Sequence, residues 1–255
     1  MEDIRKYVWT SGKEKEVEEW KKTIDVPTCE LDKIGRKYNS DKCNVSLMSR
    51  LPPANGNVPP DWPNDLHLPV ATHNYVEIYN ELFEHLKDKP IRILEIGMGV
   101  KPWNGHSMRI WLEFFPNAEI HIIDNDSRNF DCDFEFDKKR VNFYVLDQGN
   151  SKDLQDFVNL FSSNYFDIII DDGSHVADHQ ILTLSMLFDS LLMNEGIYCI
   201  EDIHDRKFLS YLPGLFTSVN SGNATFPEEN EIKEISFARF YRSLIVLHKG
   251  KKKTR

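Results

Sequence analysis

The sequence lacks any run of apolar residues long enough to cross a membrane, because none approaches the roughly 20 residues that a spanning helix needs. It also lacks an apolar leader, since its first residues, MEDIRKYVWTSGKEKEVEEWKK, are rich in charged side chains. We therefore expect a cytoplasmic protein with no membrane partner.

Cysteine is scarce. The chain has four cysteines, none of them in CxxC spacing. Neither a structural zinc site nor a disulfide framework is expected from so few unpatterned thiols, so we expect them to be reduced.

An excess of cationic side chains is also missing. Lys and Arg number 31 against 41 Asp and Glu, which gives a formal net charge of -10. Such a chain offers phosphate backbones no broad cationic surface, so nucleic acid is not an expected partner. We expect the one basic cluster, Lys249–Arg255 (KGKKKTR), to be a solvated tail.

The chain has 255 residues, 40% of them hydrophobic, which is enough for one sizeable α/β domain with an extension. We predict an N-terminal extension at 1–72 and the main domain at 73–255. The extension includes a weakly amphipathic helix at Val17–Ile24. It also includes a loop at Pro52–Pro69, with six of the 12 prolines, that is either a lid over a site or disordered.

Apolar periodicity predicts a helix from Tyr75 that ends near Lys89-Pro90, followed by alternating strands and helices. One helix is expected to be capped by Ser151 and another to run from His175 to Leu192. The five predicted strands are Ile91–Ile96, Ala118–Ile123, Val141–Leu146, Phe166–Ile170 and Gly196–Ile200.

Alternation of this kind indicates a doubly wound, mostly parallel sheet. The segment Glu234–Lys249 predicts an antiparallel hairpin that turns at Tyr241-Arg242 and completes seven strands.

Polar residues follow the apolar strands, where an open parallel sheet binds its ligands. Glycines let the backbone approach a ligand closely. Asp124 can accept hydrogen bonds from the hydroxyls of a ribose, and Asp147 or Gln148 can bind the exocyclic amine of an adenine. Together these residues predict a nucleoside cofactor, although glycines also end strands and carboxylates also cap helices. The candidates after the first three strands are Glu95, Gly97, Gly99, Asp124, Asp147 and Gln148.

A nicotinamide dinucleotide is the rival cofactor. Its G-x-G-x-x-G loop needs a third glycine where this chain has Pro102, and the later Gly105 does not restore the spacing. The E-x-G-x-G form therefore favours S-adenosylmethionine.

A second group of polar residues follows the fourth and fifth strands. The fourth ends in Asp171-Asp172-Gly173-Ser174-His175 and the fifth in Glu201-Asp202. Asp172, Glu201 and Asp202 would repel one another unless a cation lies among them, which predicts a divalent metal such as Mg²⁺. A capping serine with a surface histidine is the simpler interpretation, and a site of Asp172, His175 and His179 is an alternative.

With these residues, the chain resembles the metal-dependent sugar O-methyltransferases of macrolide antibiotic (mycinamicin) type, in a wider group that includes cephalosporin-hydroxylase-like proteins. The resemblance covers Ile34 to Lys249. Its marks are IGRKYNSDK at Ile34–Lys42, THNY at Thr72–Tyr75, LEIG at Leu94–Gly97, DDGSH at Asp171–His175 and Glu201-Asp202.

The resemblance implies a Rossmann-like methyltransferase fold that binds S-adenosylmethionine. It implies that Asp172, Glu201 and Asp202 hold Mg²⁺ and that His175 is the base. Further residues are expected beside the cofactor: Tyr38, Asp41, His73, Tyr75 and Asp171. The chain departs from the family in the roughly thirty residues between its Asp-Lys and its His-x-Tyr, so the acceptor pocket is expected to differ.

We therefore expect an S-adenosylmethionine-dependent O-methyltransferase that acts on a hydroxyl of a sugar. The acceptor would be a small carbohydrate-containing molecule, a nucleotide sugar included, and a homo-oligomer is compatible with the sequence. Two alternatives stay open. One is a metal-independent methyltransferase in which His175 or Asp172 alone does acid-base work, and the other is a scaffold that binds the cofactor without catalysis.

Overall fold

The computed structural model describes residues 27–43, 45–49, 67–71, 73–101, 103–221, 223–225, 231–233 and 235–250. The chain divides into two compact units, Met1–His85 and Leu86–Arg255, whereas the sequence predicted a division between residues 72 and 73. The predicted helix at Val17–Ile24 lies outside the described residues, as do residues 52–66 of the proline-rich stretch.

The first unit contains two helices and a pair of antiparallel strands. Helix α1 is capped by Cys29, whose sulfur accepts a hydrogen bond from the Asp32 amide. The prediction of a loop at Pro52–Pro69 is wrong for the last three residues, because residues 67–69 form part of a strand. Proline is tolerated there because both strands of a two-stranded sheet are edge strands. The elements are α1 (Glu30–Lys37), β1 (Val45–Ser49), β2 (His67–Ala71) and α2 (Tyr75–Phe83).

The second unit is built on a seven-stranded sheet in the order β10-β11-β7-β6-β3-β4-β5. Five neighbouring strands are parallel, and the last two strands of the chain add an antiparallel hairpin at one edge. This confirms the predicted doubly wound sheet. The strands are β3 (Arg92–Ile96), β4 (Glu119–Asp124), β5 (Val141–Val145), β6 (Phe166–Asp171), β7 (Leu192–Ile200), β10 (Ile235–Tyr241) and β11 (Leu244–Lys249).

Four α-helices of this unit are described, together with a short hairpin that the sequence did not predict. The cap of α4 is Asn150 and not Ser151, because the Asn150 side chain accepts from the amides of residues 152 and 153. The helix predicted at His175–Leu192 is shorter at both ends, since Leu192 begins β7. These elements are α3 (His106–Phe114), α4 (Ser151–Val158), α5 (Ala177–Leu187), α6 (Leu212–Ser221), β8 (Asn223–Thr225) and β9 (Glu231–Lys233).

The register of the central strands brings their carboxyl ends to one edge. Ile96 pairs with Ile123 on one side and with Asp171 on the other, and Asp171 pairs with Ile200. The strands are apolar and buried on both faces, as the parallel pattern requires. The polar residues that follow them therefore converge at this edge.

Lys249 does not belong to the predicted solvated tail. It is the last residue of β11 and is 2% exposed. Its ammonium donates hydrogen bonds to the carbonyls of Phe188, Asp189 and Leu192 at 2.7 to 3.0 Å and to the side chain of Asn164 at 3.2 Å. The tail prediction is wrong at this residue because these carbonyls replace water around the charge.

In the part of the chain that the structure describes, each helix is too short or too polar to serve as a membrane span.

Replacing Lys249 by methionine keeps the aliphatic stem and leaves three carbonyls without their donor. We expect Lys249→Met to lower the free energy of unfolding by about 3 kcal/mol, since hydrogen bonds to a buried charge are strong. Urea unfolding measures this loss. The exposed Lys138→Met is the matched control, and equal stability of the two variants would contradict the anchoring role of Lys249.

Candidate functional site

The turns after β3 and β6 touch at Gly97. Its φ of +97° lies in the left-handed region, and a Cβ on this residue would lie 2.1 Å from the Asp172 carbonyl oxygen. The Gly97 amide donates to Ile123 at 2.8 Å, and the Asp172 amide donates to Ile96 at 2.9 Å. Glycine is required here because any side chain would separate the two strand ends.

The loop that follows, from Gly99 to Gly105, is tied to the loop after β4. Buried Asn104 donates its amide to the carbonyls of Asn129 and Asp131 at 2.8 and 3.1 Å. The sequence analysis did not identify Asn104, and its partners, 25 and 27 residues away, leave no local pattern. Asn104 therefore holds the end of this loop against the loop after β4.

Glu95 is fully buried and accepts a hydrogen bond from the Trp111 indole at 3.0 Å. Its carboxylate thus reaches helix α3. The sequence suggested Glu95 as a cofactor residue and gave no signal for the contact with Trp111, because apolar periodicity does not show where an indole N–H points.

Asp124 ends β4 and is 9% exposed. One carboxylate oxygen accepts from the Met98 amide, and the other accepts from the Asp126 amide and the Asn129 side chain, all at 2.9 Å. A carboxylate has about four acceptor sites, so these three donors leave about one. The protein therefore orients the Asp124 carboxylate and leaves about one acceptor site unused by these donors.

Asp147 and Gln148 follow β5 in different environments. Asp147 is exposed, and its carboxylate accepts from the Gly149 amide at 2.8 Å. Gln148 is buried, and its side chain bonds to the turn after β6 and to Thr183. Asp147 is therefore the more accessible of the two residues suggested for the adenine.

Asp171 is fully buried, and its carboxylate accepts from the Gln148 side chain at 3.1 Å and from the Gly173 amide at 3.4 Å. Burial raises the pKa of Asp171 to about 7, against the lowering effect of those hydrogen bonds. Asp171 lies beneath the site instead of on its surface.

Asp172, His175 and Asp202 form a cluster of possible metal ligands. One ligand atom from each lies within 4.8 Å of the other two, and all three residues are half-buried. The His175 Nε2 is 3.9 Å from one Asp202 oxygen, and the His204 Nε2 is 3.8 Å from the other. The buried Nδ1 of His175 has no hydrogen-bond partner among the described residues.

Two members of the cluster have unusual backbone conformations. His175 has a φ of +57° and Asp202 a φ of +51°, both in the left-handed region. The sequence predicted His175 in the first turn of a helix, but α5 begins two residues later at Ala177. The prediction was wrong because a left-handed residue cannot continue a right-handed helix.

Glu201 was predicted as a third carboxylate of this group. It is almost fully buried, and its amide donates to Asp171 at 2.9 Å. In the described structure the cluster contains His175 and not Glu201.

The alternative site of Asp172, His175 and His179 is not formed among the described residues. The His179 Nδ1 lies 2.9 Å from the Ser174 hydroxyl. Its ring packs against Gly149, where a Cβ would lie 2.6 Å from its Nε2. His179 therefore connects the turn after β6, through Ser174, to the loop after β5 at Gly149.

The segment after β7 is fastened to the start of α5. Asp178 accepts from Lys207 and from the Tyr211 hydroxyl, both at 2.5 Å, and the Ala177 amide donates to Asp205 at 3.4 Å. The partners are 28 to 33 residues apart, so the sequence gave no signal for them. These contacts hold the segments that carry His175 and Asp202 together.

Tyr38, His73 and Tyr75, which the resemblance assigns to the cofactor, lie in the first unit. The rings of His73 and Tyr75 stack with centroids 5.1 Å apart, and Tyr75 is buried. The Lys37 ammonium lies 4.9 Å from the centre of the Tyr38 ring, and the Asp41 carbonyl accepts from the His73 amide.

Gly97 and Gly99 both have positive φ, so alanine is strained at both. The nearest atom to a Cβ at Gly99 lies at 3.6 Å, so Gly99→Ala should cost only about 1 kcal/mol. Gly97→Ala must also move the Asp172 backbone, and we expect it to cost about 2 to 4 kcal/mol. Thermal unfolding compares the two, and equal losses would mean that the contact with Asp172 is not tight.

Comparison with profiles of known protein families finds no match. Among curated proteins, the chain is 31% identical over 147 residues to mycinamicin VI 2''-O-methyltransferase of Micromonospora griseorubida, covering 56% of this chain and 33% of that protein. It is 33% identical over 147 residues to 8-demethyl-8-(2-methoxy-alpha-L-rhamnosyl)-tetracenomycin-C 3'-O-methyltransferase of Streptomyces olivaceus, covering 56% and 34%. The chain thus spans about a third of the length of these relatives.

Among solved structures, MycE methyltransferase from the mycinamycin biosynthetic pathway, in complex with Mg, SAH and mycinamycin VI, matches with a TM-score of 0.63 at 21% identity. The match covers 89% of this chain and 56% of that one. The resemblance drawn from the motifs is confirmed: the chain has the fold of class I S-adenosylmethionine-dependent methyltransferases and is similar, over just over half of its length, to sugar O-methyltransferases.

Proposed function

We propose that this protein is an S-adenosylmethionine-dependent O-methyltransferase that uses a divalent cation, Mg²⁺ first, to methylate a hydroxyl of a sugar. The observation that carries the proposal is the cluster of Asp172, His175 and Asp202 at the carboxyl ends of two adjacent strands. MycE, which shares the fold, has a solved structure with Mg and SAH.

The donor set fits a hard cation. Two half-buried carboxylates this close repel each other, and a divalent cation between them removes the repulsion. Mg²⁺ binds oxygen ligands, often one or two carboxylates with water. The proposal therefore assigns Asp172 and Asp202 to the metal and leaves the His175 imidazole free for the proton. The resemblance adds Glu201 as a third carboxylate, which the described cluster does not contain.

The chemistry needs an aligned oxygen and a base. When bound, S-adenosylmethionine would supply the methyl group from its sulfonium and leave as S-adenosylhomocysteine once the sulfur–methyl bond breaks, and the metal would lower the pKa of a hydroxyl bound to it. His175 accepts the proton that leaves the hydroxyl oxygen as the new carbon–oxygen bond forms. The left-handed turn holds its imidazole beside Asp202, with Nε2 3.9 Å from an Asp202 oxygen, so Nε2 is the nitrogen that we propose takes the proton.

The proposed cofactor residues of the second unit are Glu95, Gly97, Gly99, Asp124 and Asp147. What supports them is a carboxylate held in place at the end of β4 with one acceptor site left, beside a fixed glycine loop.

The proposed acceptor is a sugar carried on a small molecule, either a glycoside or a nucleotide sugar. Relatives named for methylation of mycinamicin VI and of a rhamnosyl tetracenomycin support the glycoside. Incubation with S-adenosylmethionine and a panel of both classes, followed by mass spectrometry for a gain of one methylene, tests the function. A panel without any methylated product would count against it.

Removal of the metal should abolish methyl transfer. We expect exhaustive chelation to stop the reaction and Mg²⁺ to restore it, because the two aspartates then lose the cation that orients the acceptor. Product formation is followed by mass spectrometry before and after metal addition. Full activity in chelator would instead favour a metal-independent methyltransferase.

Loss of the base should affect turnover more than binding. We expect His175→Ala to lower kcat by about 10² to 10⁴ and to leave the affinity for S-adenosylmethionine nearly unchanged. The exposed His85→Ala is the control with normal turnover. Near-normal kcat in His175→Ala would move the role of base to His204.

Substitution of a proposed metal ligand should weaken the affinity for a divalent cation. We expect Asp172→Asn to weaken Mn²⁺, measured by calorimetry, by about tenfold or more, because a neutral amide replaces an anionic ligand. Glu201→Gln should weaken Mn²⁺ as well, and unchanged affinity in that variant would remove Glu201 from the ligand set.

A further inference from the structure

The side chain of Gln148 joins three parts of the second unit. It leaves the end of β5, is 6% exposed, and accepts from the Ser174 amide through Oε1 at 2.6 Å. Its Nε2 donates to the Asp171 carboxylate at 3.1 Å and to the Thr183 hydroxyl at 3.4 Å. One carboxamide thus connects β5, the turn after β6 and helix α5.

The turn after β6 rests directly on this carboxamide. A Cβ on Gly173 would lie 1.9 Å from the Gln148 Oε1. From the other side, the Thr183 hydroxyl donates to the His179 carbonyl of its own helix at 2.8 Å, so the hydroxyl that accepts from Gln148 is itself oriented. Gln148 therefore has little freedom to move without moving the turn.

These contacts leave little of Gln148 for a ligand. A primary amide has two N–H donors, and Asp171 and Thr183 take both. The exocyclic amine of an adenine is a donor and would need Oε1, which already accepts from Ser174 and lies against Gly173. The sequence had suggested Gln148 as a residue that binds adenine. Its observed contacts instead use its hydrogen-bonding groups within the protein.

The held turn carries two of the clustered residues. Asp172 precedes Gly173, and His175 follows Ser174 with its backbone in the left-handed region. Without the carboxamide, the Ser174 amide loses its partner, and the turn that carries His175 keeps only the contacts of the Ser174 hydroxyl with His179 and Val176 on this side. Such strained turns persist when their surroundings determine them.

We propose that Gln148 is a positioning residue, which holds the turn so that Asp172 and His175 face Asp202, and that it does not bind the cofactor. The expectation that this turn contributes ligands to a metal depends on the proposed function. Gln148 touches neither substrate nor metal in this role and acts through the backbone of Ser174 and the carboxylate of Asp171.

The test compares Gln148→Met, which keeps length and volume without the hydrogen bonds, with the exposed Gln155→Met as matched control. Three quantities are measured: Mn²⁺ affinity and S-adenosylhomocysteine affinity by calorimetry, and amide hydrogen exchange of residues 171–176. For Gln148→Met we expect faster exchange, Mn²⁺ binding weaker by about tenfold or more, and unchanged S-adenosylhomocysteine affinity.

A residue that binds adenine gives the opposite pattern. Weaker S-adenosylhomocysteine binding with unchanged exchange and unchanged Mn²⁺ affinity would overturn the positioning role. If the unmodified protein binds no Mn²⁺ at all, the proposed metal site fails, while exchange at residues 171–176 still decides whether Gln148 holds the turn.

A double-mutant cycle covers the case in which Gln148→Met folds poorly. Gly173→Ala should speed exchange in the turn, because its methyl group displaces the carboxamide. In a Gln148→Ala background the same methyl group has room, so Gly173→Ala should add little. Additive effects of the two substitutions on exchange would show that the turn does not rest on Gln148.

Discussion

The site depends on how closely two strand-end turns approach each other. At Gly97 the backbone after β3 lies so near the Asp172 carbonyl that even a methyl group has no room. This contact sets the distance between the glycine loop and the acidic turn. The glycine loop is in turn tied to the segment after β4 by Asn104, so three strand ends are connected through this contact.

Beneath that contact lies a buried layer of polar groups. Asp171, Gln148 and Thr183 are bonded to one another where water does not reach. Buried polar groups that are fully paired favour one arrangement, because each alternative leaves a donor or acceptor without a partner. The hydrogen bonds of this buried layer therefore fix the backbone conformation of the turn that carries Asp172 and His175.

Much of the fold could be predicted from the sequence. The strands of a buried parallel sheet are continuous apolar runs, so their order and the residues at their carboxyl ends, such as Asp124 and Asp172, were predicted correctly. Other features depend on groups distant in the chain. The pairing of Asp178 with Lys207, the donors around Lys249 and the left-handed turn at His175 leave no periodic signal, and the helix start at His175 was therefore misplaced.

The left-handed backbone at His175 and Asp202 restricts how the site could be redesigned. Asn, Asp, His and Gly tolerate that conformation, whereas β-branched residues do not. Exchange among Asp, Asn and His is therefore compatible with the backbone at either position. Introduction of threonine or valine there would change the course of the loop, so side-chain variety of that kind is better tolerated at neighbouring positions with ordinary backbone angles.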